Sequence, residues 1–149
     1  LDCDAPFATA AALVIGQRAE ELFEHSRGVL DTDDIERVHD MRVATRRLRA
    51  AMEIFEPCFP PKRWRRALKR VKALADDLGE RRDRDVAIEF LTGFSAEVRG
   101  PDRERLETVI DGLRAEQREA NERLAPAVDA ERLKKLQKRL DKLVEAAGE

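Results

Sequence analysis

Four side chains able to carry positive charge recur along one stretch of the chain. They are His39, Arg42, Arg46 and Arg49, at successive spacings of three, four and three residues. On an α-helix, at about 100° per residue, they fall within an arc roughly 80° wide. Residues three and four apart are neighbours on a helix surface, so these cations repel one another unless something neutralises them. Glu53 alone shares the arc from within the same helix, and Asp83 or Asp85 are the acids best placed by sequence to reach it from elsewhere. A bound anion is the other way out. Guanidinium groups grip anionic oxygens with a planar fork, whereas lysine acts as a mobile point charge. Arg47 projects away from this arc.

A second basic run follows, PKRWRRALKRVKAL from Pro61 to Leu74. At helical spacing Trp64, Ala67, Leu68, Val71, Leu74 and Leu78 form an apolar stripe. Arg65, Lys69 and Lys72 border it on one flank, and Arg63, Arg66 and Arg70 on the other. Whichever flank adjoins the first arc completes a groove lined by cations from both helices. From Arg37 to Asp85 there are 15 basic and 8 acidic residues, whereas the whole chain has 29 and 31, leaving 14 and 23 for the remainder. A nearly neutral protein has gathered its positive charge into one third of its length, which points to a polyanionic partner acting through local field.

The elements that must position these groups are helical. The composition is 40% charged and 42% hydrophobic, with 7 Gly, 6 Pro and no Tyr, and no strand-like alternation is present. A first helix has Pro6 in its first turn and carries Ala11, Leu13, Val14, Leu22 and Phe23 toward Val29. Asp31–Asp34 supplies candidate N-caps for a second helix over about 35–55, with Met41, Ala44, Leu48, Met52 and Phe55 on its core side. Pro57 and Pro60–Pro61 stop it. A third helix is expected from Pro61 to about Leu78, with Gly79 as its C′ residue, and a short fourth from about Asp83 to Leu91. In this reading Asp83 and Asp85 cap that helix or pair with Arg82 or Arg84. Gly100–Pro101–Asp102 breaks the chain before a charged amphipathic helix that runs to about Leu124. Pro126 interrupts, and a last helix capped by Asp129 carries Leu133, Leu136, Leu140 and Leu143, which want a partner surface. Leu133–Leu143 loosely echoes the basic third helix, too loosely to be a repeat. The expected architecture is an all-α antiparallel bundle of about five or six helices, with residues 1–149 forming one domain.

Several function classes fall away. No apolar run approaches the roughly 20 residues of a membrane span. There is no phosphate loop, nucleophile elbow or zinc-protease motif, and His25 is the only other histidine, so neither a catalytic set nor a metal site is expected. No cofactor is implied. Few aromatics and no recognition-helix pattern argue against nucleic acid. Cys3 and Cys58 are two isolated cysteines without metal-type spacing, which is no disulfide framework, and a reducing cytoplasm is the default expectation. The chain opens on Leu1 rather than Met, as a fragment or a processed chain would.

His39-x-x-Arg42-Val43-x-x-Arg46-Arg47-Leu48-Arg49, followed by Leu78-Gly79-x-x-Arg82-Asp83-x-Asp85-Val86, resembles the CHAD domain, a histidine-containing α-helical family. The resemblance is specific over 38–86. It implies a non-catalytic domain that binds inorganic polyphosphate along a basic surface, often associated with polyphosphate granules or fused to triphosphate tunnel enzymes. Carried over by position, the binding residues are His39, Arg42, Arg46, Arg47, Arg49, Lys72 and Arg82; Lys69 is added from the helical wheel. Family domains usually hold two related helical halves around a channel, whereas this sequence carries one clear copy. A homodimer that rebuilds the channel is therefore expected, closed two-fold pairs being the commonest oligomers. The competing reading is a protein-interaction bundle whose basic face meets an acidic protein.

Overall fold

The computed structural model describes residues 2–149, in five α-helices without strands among them. The helices are α1 (Ala5–Glu24), α2 (Glu36–Ile54), α3 (Pro61–Ser95), α4 (Pro101–Leu124) and α5 (Ala130–Glu145), with 3-10 turns at Glu56–Cys58 and Ala125–Val128. α1 packs on α2 and α5, α2 on α3, and α3 on both α4 and α5. α1 and α2, α2 and α3, and α3 and α4 run antiparallel, whereas α4 and α5 follow one another in the same direction along α3. The all-α bundle expected from composition and periodicity is what forms.

The core is built from the helical stripes. Met41, Ala44, Leu48 and Met52 of α2 are buried, as are Trp64, Ala67, Leu68, Val71, Leu74 and Leu78 of α3. Leu136, Leu140 and Leu143 of α5 close the core against α1 and α3, with Leu133 partly buried at its edge. In α1 the buried set is Ala11, Ile15, Ala19 and Leu22. Leu13 lies outside it, exposed to solvent, because it sits on the opposite side of the helix from Ala11 and Ile15.

Local chemistry fixes most boundaries. The Asp4 carboxylate accepts a hydrogen bond from Phe7 N at 2.8 Å, capping α1 with Pro6 in its first turn. Asp129 caps α5 by accepting from Glu131 N at 2.7 Å. Gly100, at φ 68°, turns the chain into α4. The Asp31–Asp34 segment does not cap α2 as expected. Its N-cap position is Ile35, without a side-chain bond, while Asp31 turns back onto Asp33 N and Asp34 pairs with Arg37.

Two further expectations are overturned. The third and fourth helices are one, because α3 runs 35 residues through Gly79 without a stop. Glycine in a helix interior costs about 1 kcal/mol relative to alanine. Burial of Leu78 and, beyond it, Arg81 and Asp85 keeps the same face of α3 engaged and outweighs that cost. Nor are the cysteines free: Cys3 and Cys58 form a disulfide, their Cα atoms 5.1 Å apart. The segment before α1 folds back over the α2–α3 turn and brings together positions 55 residues apart. Gly148 N donates to Cys58 O at 2.8 Å, so α5 ends at the same corner. No helix among the described residues is long and apolar enough to cross a membrane.

Candidate anion-binding face

Three contacts set the register of α2 against α3. Trp64 Nε1 donates to Met52 O at 2.8 Å, Arg82 Nη1 reaches Ile35 O at 3.5 Å, and a Cβ on Gly79 would lie 3.8 Å from Arg42 Nε. This antiparallel pairing levels Arg46 with Lys72 and Arg49 with Lys69. Gly79 follows Lys72 by seven residues, about two turns, so both occupy one stripe of α3. The basic arc of α2 therefore adjoins the flank of Arg65, Lys69 and Lys72. The opposite flank, with Arg63, Arg66 and Arg70, turns toward α5.

Arg42, Arg46, Arg47 and Lys69 are exposed, while His39, Arg49, Lys72 and Arg82 are partly buried. Arg49 is held by Glu53 at 3.2 Å, the acid that shares its arc. Among the described residues, none of the other seven takes part in an ion pair. Arg82 leans on the Ile35 carbonyl beside the start of α2. Arg47 lies about 100° round the helix from Arg46 and stands apart from the groove. Glu36 and Asp40 flank His39, with one potential ligand atom from each of the three residues within 4.8 Å of the others. Those two carboxylates offset positive charge at that end of the arc, whereas Arg42, Arg46 and Lys72 have no ion-pair partner among the described residues.

The acids expected to neutralise the arc do something else. Asp83 is exposed and unpaired among the described residues, and no helix starts there for it to cap. Asp85, 1% exposed, accepts from Arg81 Nε at 2.9 Å and from Gln117 Nε2 at 2.6 Å, both at Oδ1. Arg81, fully buried, also donates to Asn121 Oδ1 at 2.7 Å and to the carbonyls of Val29 and Asp31. Asn121 Nδ2 in turn donates to Leu30 O at 2.9 Å. This network ties the α1–α2 connection to α3 and α4, and so fixes where α2 begins beside Arg82. Sequence reading missed Arg81. The signal was the spacing Leu78, Arg81, Asp85, which continues the buried stripe across the supposed break at Gly79.

On the α5 side of α3, burial raises the Asp77 carboxyl above its ordinary pKa; Glu80 and Asp76 add to this, while Arg132 and Arg123 oppose it.

No curated protein and no solved structure matches the chain. The family model for the CHAD domain does, across residues 13–149, so its match extends well beyond the motif at 38–86 to take in most of α1 and all of α4 and α5. The chain belongs to the CHAD domain family.

Proposed function

We propose that this chain is a non-catalytic module that binds inorganic polyphosphate through the α2–α3 face, using His39, Arg42, Arg46, Arg47, Arg49, Lys69, Lys72 and Arg82. The observation that carries the reading is the row of cations without carboxylate partners along the seam of two packed helices, with Arg46 level with Lys72. A flexible string of closely spaced negative charges satisfies such a row, and the arginines supply forks that match phosphate oxygens. Arg42, Arg46 and Lys72 form the centre; His39 and Arg47 lie at its margins. The test is titration of the protein with long-chain polyphosphate and, separately, with polyglutamate of equal charge. Tight, steeply salt-dependent binding of polyphosphate alone supports the reading. Preference for polyglutamate favours an acidic protein partner instead.

The same stripe of α3 that carries Lys72 and Gly79 continues as Val86, Phe90 and Phe94, spaced four residues apart and 47%, 71% and 48% exposed. An uncovered apolar seam running on from a basic face favours self-association. Two copies joined there would set two basic faces against each other around one anion path. Light scattering on Phe90→Asp against the unmodified protein tests this: a dimer reduced to monomer supports it, and an unmodified protein that is already monomeric removes it.

A further inference from the structure

The second basic flank of α3 also has a partner. Arg66 and Arg70 face Lys135, Lys138, Arg139 and Lys142 of α5 across an open cleft of about 660 Å³. The loose sequence echo between the two helices is thus a spatial pairing of two cationic rows. Among the described residues none of these six forms an ion pair; only Arg63, at one end of the cleft, approaches a carboxylate, that of Glu149 at 4.0 Å. On α5 the cations recur at three, four and seven residues, so Lys135 and Lys142 lie about 10 Å apart along one side.

We infer that the α3–α5 cleft is a second phosphate-binding site, separate from the α2–α3 face, that takes a short run of phosphoryl groups from the same kind of chain. This deepens the reading given above and rests on it for the identity of the ligand. The lining discriminates between ligand classes. A peptide partner needs apolar anchors, and among the described residues the only apolar side chain lining the cleft is Ala146. A nucleic acid strand needs aromatic platforms, and the cleft has none, Trp64 being buried in the core. What remains is a strong excess of positive charge, with arginine forks on both walls and the Glu145 and Glu149 carboxylates confined to the end beside Ala146. The two sites also communicate over the surface, because Arg65, Arg66, Lys69 and Arg70 all stand exposed on the outer side of α3. A chain long enough to cross one helix, about 10–12 Å in diameter, engages both sites and gains from their linkage.

Titration calorimetry with tripolyphosphate, too short to bridge the sites, counts them. The unmodified protein should take two per chain. Lys138→Glu with Lys142→Glu should take one, and Arg42→Ala with Arg46→Ala should take the other one. Long-chain polyphosphate should bind each pair of variants at least tenfold more weakly than the unmodified protein. All four residues are exposed, so far-ultraviolet circular dichroism should be unchanged, and Lys138→Gln with Lys142→Gln repeats the test without reversing charge. Two sites persisting in both cleft variants, or a single site in the unmodified protein that Arg42→Ala with Arg46→Ala abolishes, overturns the inference. So does displacement of tripolyphosphate from the cleft by polyglutamate at equal charge concentration. If only the cleft variants lose a site, the cleft stands and the assignment of the α2–α3 face fails.

Discussion

The guanidinium of Arg42 lies over Gly79, its Nε 3.8 Å from where a Cβ on that glycine would sit. A helical glycine in the middle of α3 thereby leaves room for a cation from α2, and the two basic helices share a seam. The distance is ordinary van der Waals contact, so Gly79→Ala fits. We expect it to raise stability by about 0.5–1 kcal/mol through helix propensity, measured by urea unfolding, and to leave anion binding intact. Gly79→Leu should displace Arg42 and weaken polyphosphate binding several-fold while the helix content holds.

The buried Arg81–Asp85 pair makes a second test. Arg81→Ala leaves the Asp85 carboxylate without its charge partner in the core, and losing one member of a buried pair costs about 3–5 kcal/mol. Chemical denaturation should show a loss in that range. Gln117→Ala, which removes one neutral donor to the same oxygen, should cost less, about 1–3 kcal/mol.

Most of the bundle was legible from spacing alone. The core stripes of α2 and α3 and the leucine face of α5 lie where 3.6-residue periodicity puts them, because amphipathic burial dominates helix placement. Gly79 misled because propensity is a weak prior that tertiary packing overrides, here through Leu78, Arg81 and Asp85. Arg81 was hidden by its type, since a charged residue reads as surface until a partner on another helix is known. Which flank of α3 meets α2 depends on the register between helices, which a single helical wheel does not contain. The Cys3–Cys58 bond was invisible for the same reason, being a contact across 55 residues.

That bond gives a third prediction. Closing a loop of 55 residues removes denatured-state entropy worth about 4 kcal/mol in the chain-entropy account. Cys3→Ser with Cys58→Ser, or reduction, should lower stability by up to that amount. Thiol titration of the oxidised, unfolded protein should find no free sulfhydryl.

Asp77 gives a fourth. Its folded pKa is raised, so between the ordinary and raised values the folded state binds more protons than the unfolded. Stability contributed by this group therefore falls as pH rises through that window and stays lower above it. Asp77→Asn should melt at a higher temperature than the unmodified protein at neutral pH, with the difference vanishing under acid conditions. A variant that melts lower at neutral pH would show that the attraction of Arg132 and Arg123 prevails.

The most direct test of the central claim is the salt dependence of polyphosphate affinity in Arg42→Ala with Arg46→Ala, compared with the unmodified protein. Each cation that neutralises a phosphate contributes close to one to the slope of log affinity against log salt, by analogy with nucleic acid. The account predicts affinity reduced at least tenfold, a slope shallower by about 1.5–2, and unchanged helicity. Equal affinity and equal slope in the two proteins would contradict it.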